Sequence, residues 1–90
     1  MYISRLEWDE YRIDHIALHG VEPDEVWEVC ADRFLLGRQQ GANRYRLYGQ
    51  SESGRYLFVV IESRYGTVYK PITARDMTEA EKRAFRRLRR

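Results

Sequence analysis

The sequence predicts an α+β fold: a small antiparallel sheet with two N-terminal helices and a C-terminal helix, all packed on one side of the sheet. Apolar residues recur at the three-and-four spacing of helices before residue 32 and after residue 78. Between residues 34 and 75 the period changes, and strand-like segments are separated by clusters rich in Gly, Ser, Asn and Gln. Short connections between consecutive strands require antiparallel pairing. The 90 residues contain no repeat or linker, so we expect one domain spanning residues 1–90.

The two N-terminal helices are predicted from their capping residues. A short edge strand within residues 2–8 comes first, and Asp9 can cap a helix that runs to about His19. Pro23 suits the first turn of a second helix, because its missing N–H would be unpaired there in any case. This second helix should reach about Asp32, with acidic residues on its solvent side.

Four strands and a final helix complete the predicted fold. The predicted strands are residues 34–38, 43–50, 55–62 and 67–75. The apolar run Tyr56 to Ile61 should be the central strand. Pro71 cannot donate a ladder hydrogen bond, so the last strand should be an edge there, contain a bulge, or be two shorter pieces. Thr78 and Glu81 fit a capping box that opens the C-terminal helix.

Composition excludes several classes of protein. No apolar run approaches the roughly 18 residues that a membrane span needs, so we expect no membrane contact. Met1 to Trp8 lacks the apolar core of a signal peptide, which predicts a cytoplasmic location. Cys30 is the only cysteine, so no disulfide can form within the chain, and its apolar neighbours indicate a buried side chain.

Charge is distributed unevenly along the chain. Residues 1–32 hold two basic and nine acidic side chains, a net charge of −7. Residues 33–90 hold fourteen basic and five acidic side chains, a net charge of +9. Such an asymmetry can create a positive surface that attracts phosphates, although the same side chains could simply solvate the fold. The basic C-terminal helix has the same two interpretations, and docking of a protein partner is a third.

Arg and His side chains are the candidates for chemistry. His15 and His19 are four residues apart and would share one side of the first helix, with Arg12 one turn before. Arg44 and Arg46 should lie on one face of a strand. The alternative for His19 is a ring that bonds a carbonyl at the helix end. No phosphate loop, serine elbow, zinc cysteines or H-E-x-x-H pattern is present, so we expect no metal and no other cofactor.

Several local patterns, in this order, resemble the BrnT family of type II toxin–antitoxin toxins over nearly the whole chain. They are Leu6-Glu7-Trp8-Asp9-Glu10, His19-Gly20-Val21 followed by Pro23 to Val29, Arg44-Tyr45 to Gly49-Gln50, and Thr73-Ala74-Arg75-Asp76-Met77-Thr78. The resemblance implies a fold similar to the RelE and ParE toxins. It also implies a ribonuclease activity that halts translation and neutralisation by a small antitoxin encoded alongside.

The resemblance also points to particular residues. His19, Arg44 and Arg75 match the family's motif positions, with Tyr45 as a neighbour. We expect the guanidinium groups of Arg44 and Arg75 to converge on one phosphodiester, with His19 or His15 transferring protons. For Arg75, the alternative is a structural bridge to Asp76 or Glu81. Further RNA contacts are expected from Arg12, Arg46 and Arg83.

The resemblance, together with these residues, implies a metal-independent endoribonuclease that cleaves RNA by attack of the 2′-OH. Its expected partners are a cognate antitoxin, itself DNA-binding, and RNA, which the ribosome can present. Leu18 stands where many members of the family have a basic residue, and Pro71 is unusual in a strand. Two alternatives therefore stay open: a noncatalytic toxin-like module that binds an antitoxin or nucleic acid, and a toxin directed at gyrase.

Overall fold

The computed structural model of the protein describes residues 1–89 and confirms the α+β class, with three helices and a five-stranded sheet in that part of the chain. The elements are β1 (Arg5–Leu6), α1 (Glu10–Ala17), α2 (Pro23–Cys30), β2 (Leu36–Gln40), β3 (Arg44–Gln50), β4 (Tyr56–Tyr65), β5 (Val68–Asp76) and α3 (Glu79–Leu88).

The sheet has the strand order β1-β5-β4-β3-β2, so the apolar strand β4 is central, as predicted. Strands β2 to β5 pair antiparallel in sequence order, whereas the two-residue β1 pairs parallel to the start of β5. Of the three possibilities predicted for Pro71, the structure contains a bulge. Val60 pairs with Thr73 and Ile61 with Pro71, which leaves Ile72 as the extra residue. Among the described residues no strand pairs with this edge of β5 beyond β1.

The expectation that all helices pack on one side of the sheet was wrong. We call the face covered by α1 and α2 the inner face and the face that carries α3 the outer face. The inner face contributes Leu57, Val59 and Ile61 to the main core, while Phe58 and Val60 of the same strand pack with α3 residue Phe85. Because β4 is apolar on both faces, both faces have to be covered.

The starts of the helices agree with the sequence prediction. The Asp9 carboxylate accepts a hydrogen bond from the Arg12 backbone N–H, and Pro23 lies in the first turn of α2. Thr78 and Glu81 form the predicted reciprocal capping box of α3, with distances of 2.8 and 3.1 Å. The side chains that satisfy the first turns are therefore readable from sequence.

Two helices end earlier than predicted. Helix α1 ends at Ala17, so His19 lies in the turn that follows, where Gly20 adopts a φ of +70°. Helix α2 ends at Cys30, before Asp32. The Asp32 carboxylate instead accepts backbone N–H bonds from Phe34 at 3.0 Å and Gln50 at 2.8 Å, which ties the chain after α2 to the sheet.

Candidate functional site

The part of the outer face beyond α3 carries three arginines on β2 and β3. Arg38 and Arg46 lie directly opposite each other across the two strands, and Arg44 lies two residues before Arg46 on the same face. Like charges placed directly opposite each other destabilise a sheet. An anion between them would remove this repulsion, so the geometry favours a negatively charged ligand on this surface.

Arg46 is the most unusual of these side chains. It is half-buried, and its Nε is buried without a hydrogen-bond partner among residues 1–89. Val60 is its neighbour on β4 and offers no polar group. An unmet buried donor costs roughly 1–3 kcal/mol, and a phosphate oxygen could satisfy it.

Arg44 has a carboxylate partner but stays accessible. Its Nε donates to Glu62 Oε2 at 2.9 Å, and the Arg44 side chain is 48% exposed. Exposed ion pairs of this kind contribute little to stability, so Arg44 can exchange Glu62 for a phosphate at small cost.

The two histidines lie along the open edge of β5. His15 Nε2 is 3.1 Å from Thr73 Oγ1, and the His15 and His19 rings meet edge to face with centroids 5.7 Å apart. Arg12 donates to the Ile72 carbonyl at 3.2 Å, and its Nε has no partner within the described chain. Two imidazoles and one guanidinium are therefore grouped at this edge, although His19 lies in the turn after α1 and not in the helix.

Arg75 is occupied by a structural ion pair. It donates to both carboxylate oxygens of Glu81, at 2.8 and 3.2 Å, and to the Asp76 carbonyl at 2.9 Å. Its guanidinium also stacks 4.2 Å from the centre of the Phe58 ring. The hydrogen bond to Glu81 raises the pKa of Arg75 and lowers that of Glu81. Arg75 thus forms the bridge to Glu81 that was the alternative to phosphate binding.

Arg44 and Arg75 share the outer face but are not brought together. Arg44 pairs with Glu62 and Arg75 with Phe58, positions four residues apart on β4, or roughly 13 Å along the strand. Arg46 and Thr73, in contrast, both pair with Val60, so their backbones are roughly 10 Å apart across β4. By these backbone positions Arg46 lies nearer to the histidine edge than Arg44 lies to Arg75.

The remaining predicted residues lie elsewhere. Tyr45 is on the inner face, where its ring meets that of Tyr69 at 6.0 Å, away from the guanidinium groups of β3. The sequence alternation already assigns Tyr45 to the face opposite Arg44. Arg83 is exposed on α3.

Arg55 is a residue that sequence reasoning did not single out. Its guanidinium donates to the Gly20 carbonyl at 2.7 Å and to the His19 carbonyl at 3.4 Å. It also donates to the carboxylates of Asp76 at 2.8 Å and Glu25 at 3.1 Å, and these hydrogen bonds, that to Asp76 above all, raise its pKa. Arg55 fixes the turn that carries His19 against the end of β5. No local pattern reveals this, because all its partners are distant in sequence.

The described residues contain neither a cluster of metal ligands nor a membrane-spanning helix. Within residues 1–89 no three His, Cys, Asp or Glu side chains come together as a metal site would require. None of the helices described combines the length and apolarity needed to cross a bilayer.

Comparison with known proteins identifies the family and a solved structure that is similar. A sequence profile described as "Ribonuclease toxin, BrnT, of type II toxin-antitoxin system" matches residues 8–81. The crystal structure of the Brucella abortus ribonuclease toxin BrnT is similar, with a TM-score of 0.69 and 21% sequence identity. The alignment covers 83% of this chain and 97% of the Brucella chain, and at this identity it supports the fold. No curated protein sequence gives a significant match.

Proposed function

Because the chain belongs to the BrnT family of ribonuclease toxins of type II toxin–antitoxin systems, we propose that it is a metal-independent endoribonuclease that stops translation. The observation that carries this proposal is the half-buried Arg46, whose Nε lacks a partner in the described chain. Arg46 and Thr73, the residue that His15 contacts, both pair with Val60 of the central strand. Such an arrangement supports a phosphate bound on the outer face with imidazoles within reach.

The proposed reaction is attack of a ribose 2′-OH on the adjacent phosphate. One imidazole of the His15 and His19 pair takes the 2′-OH proton, and the new O–P bond forms as the bond to the 5′-oxygen breaks. The second imidazole protonates the leaving 5′-oxygen, so the products are a 2′,3′-cyclic phosphate and a free 5′-OH. Arg46 and Arg44 stabilise the negative charge on the non-bridging oxygens of the pentavalent phosphorus.

The other predicted residues have supporting roles in this proposal. Arg75 holds the start of α3 beside the site through Glu81, and it contacts phosphate only by giving up that ion pair. Arg12 and Arg83 add contacts to the RNA backbone. Tyr45 supports β3 from the inner face, where it packs on Tyr69.

A type II system also implies an antitoxin partner. We expect it to cover the basic outer face with an acidic segment, to exclude RNA, and to carry its own DNA-binding fold. The expected substrate is RNA in the cytoplasm, which the ribosome can present.

The test is cleavage of a defined RNA by purified protein in excess chelator. We expect cleavage to persist and to leave cyclic phosphate ends, because no step needs a metal. Loss of activity on chelation would contradict the mechanism.

Expression in a sensitive bacterium with pulse labelling tests the cellular effect: protein synthesis should stop first. An earlier stop in DNA synthesis would favour a gyrase-directed toxin, and no arrest at all a noncatalytic module.

A further inference from the structure

A second cationic cluster lies at the opposite end of the outer face, around the C-terminal part of α3. It borders an open cleft of about 630 Å³. The cleft is lined by three arginines, an exposed aromatic ring and polar side chains: Arg33, Arg86, Arg89, Phe34, Gln50 and Asp32.

The guanidinium groups of this cleft are held by neutral partners. Arg86 Nε donates to Tyr56 Oη at 3.4 Å, and its guanidinium carbon is 5.1 Å from the centre of the Tyr56 ring. Arg89 donates to Gln50 Oε1 at 3.0 Å and approaches the rings of Tyr56 and Phe34, 5.9 Å from each. The hydrogen bond from Arg86 and the charge of Arg89 lower the pKa of the Tyr56 hydroxyl. The positive charge of the cleft therefore remains available to a ligand.

The carboxylate that lines the cleft does not neutralise it. Asp32 uses its oxygens to accept the backbone N–H groups of Phe34 and Gln50, at 3.0 and 2.8 Å. None of the ion pairs found in the described chain joins Asp32 to Arg33, Arg86 or Arg89. Three guanidinium groups and one carboxylate therefore line the cleft, which leaves it with a net positive charge.

The exposed aromatic ring indicates which class of anion this cleft fits best. Phe34 is 42% exposed at the cleft and Arg33 stacks on its ring at 5.0 Å, so an aromatic and guanidinium platform faces solvent. Such platforms bind single-stranded nucleic acid, because a base stacks on the ring while a cation holds the adjacent phosphate. An acidic peptide would use the charges but would have no need of an exposed ring.

We propose that this cleft is a second RNA site, which binds single-stranded RNA through the phosphates and one stacked base outside the catalytic surface. The inference rests on the proposed function in taking RNA as the substrate. Gln50 pairs with Tyr56, whereas Arg46 pairs with Val60, so the cleft begins roughly 13 Å along β4 from Arg46. One RNA strand on the outer face can reach both.

The test measures binding of a non-cleavable 2′-O-methyl oligonucleotide by fluorescence anisotropy. The variant Arg86→Gln/Arg89→Gln is compared with Arg64→Gln/Arg87→Gln, a charge-matched control. Arg87 is exposed on α3, and Arg64 lies at the far end of the sheet beside Glu7. We expect the first variant to bind at least tenfold more weakly and to lose about 1.4 from the slope of log K against log salt, as two phosphate contacts predict. The control should bind like the wild type.

Two further measurements separate this site from the catalytic one. Cleavage by the Arg86→Gln/Arg89→Gln variant should show a raised KM with an almost unchanged kcat. Phe34→Leu should weaken oligonucleotide binding several-fold without altering the salt slope, because it removes stacking and no charge. Circular dichroism and thermal melting confirm that each variant is folded.

Other results would overturn the inference. Equal losses in both double variants would show that only net charge matters. Unchanged oligonucleotide binding with weakened antitoxin binding would make the cleft a protein contact. A wild-type protein that binds the oligonucleotide through this cleft but cleaves no RNA would refute the proposed function and leave the inference standing.

Discussion

At the scale of single residues, the features of Arg46 that lower stability are the ones that support the proposed function. It faces Arg38 across the strand pair, and its buried Nε meets no acceptor among residues 1–89. Sites that break a local rule of this kind are often functional, because the unmet group is satisfied by the ligand. The neighbouring Arg44 and Arg75 have carboxylate partners, so they lack this signature.

Replacing Arg46 should therefore separate stability from activity. We expect Arg46→Met to leave the free energy of unfolding unchanged or to raise it by about 1 kcal/mol, because an unpaired donor and a like-charge contact disappear. RNA cleavage should fall at least tenfold. Urea unfolding and a cleavage assay measure the two effects, with Arg64→Met as the matched control. A variant that is less stable but fully active would contradict this role for Arg46.

The orientation of His15 is a second prediction at this scale. Thr73 Oγ1 is 3.1 Å from His15 Nε2 and fixes the ring at the edge of β5. We expect His15→Asn to lower kcat by about 100-fold or more, in keeping with the loss of a proton-transfer group. Thr73→Val should lower kcat less, at an almost unchanged KM, because the imidazole remains but is less well oriented. The pH–rate profile is decisive: one limb should disappear in His15→Asn and be retained in Thr73→Val.

At the scale of elements, the sequence predicts what local chemistry determines. The capping box of Thr78 and Glu81, Pro23 in the first turn of α2, and the alternation of β3 all depend on neighbours in sequence. The face on which α3 packs does not, because it follows from the two-sided apolar strand β4 and from the direction in which the chain leaves Asp76. Helix α2 was predicted too long because the partners of Asp32 include Gln50, which is 18 residues away.

The contact between α2 and β3 depends on a single glycine. A Cβ added to Gly49 would lie 2.9 Å from Val29 Cγ1 and 3.2 Å from the Val29 carbonyl oxygen, so the helix would have to move. We expect Gly49→Ala to lower the free energy of unfolding by about 2 kcal/mol. Gly37→Ala is the control, because its added Cβ meets Leu47 at an ordinary 3.4 Å. Urea unfolding of the two variants should differ clearly, and equal values would contradict this account of the packing.

The start of α3 should be sensitive to acid. The hydrogen bond from Arg75 lowers the pKa of Glu81 below its usual 4.5, so ionised Glu81 stabilises the fold above the unfolded-state pKa. This stabilisation is lost as the pH falls through the lower folded-state pKa. Glu81→Gln keeps an acceptor for the Thr78 N–H and should cost about 1 kcal/mol at pH 7. The melting temperature of Glu81→Gln should also fall less than that of the wild type when the pH is lowered from 6 to below the folded-state pKa of Glu81. Equal falls in melting temperature would contradict this role for Glu81.

At the scale of the whole molecule, the charge asymmetry of the sequence becomes a difference between the two faces of the sheet. The acidic helices α1 and α2 cover the inner face, and the outer face carries arginines from β2, β3 and α3. The sequence could predict a basic surface but not which arginines share it. The placement of Arg46 and Thr73 on either side of Val60 depends on strand register and on the bulge beside Pro71. The family resemblance identified candidate site residues, and the structure shows which of them lie near one another.

This basic face predicts strongly salt-dependent RNA binding that an antitoxin should abolish. If Arg44, Arg46, Arg86 and Arg89 each contact a phosphate, affinity for single-stranded RNA should fall about 50-fold between 50 and 200 mM salt, from a slope of about −0.7 per contact. Anisotropy titrations measure the slope, and a slope near zero would exclude this face as the RNA surface.

Added antitoxin should raise the apparent Kd in proportion to its concentration, because one positive surface cannot bind two polyanionic partners at once. A stable ternary complex of toxin, antitoxin and oligonucleotide would place the antitoxin elsewhere, on the acidic side of the molecule.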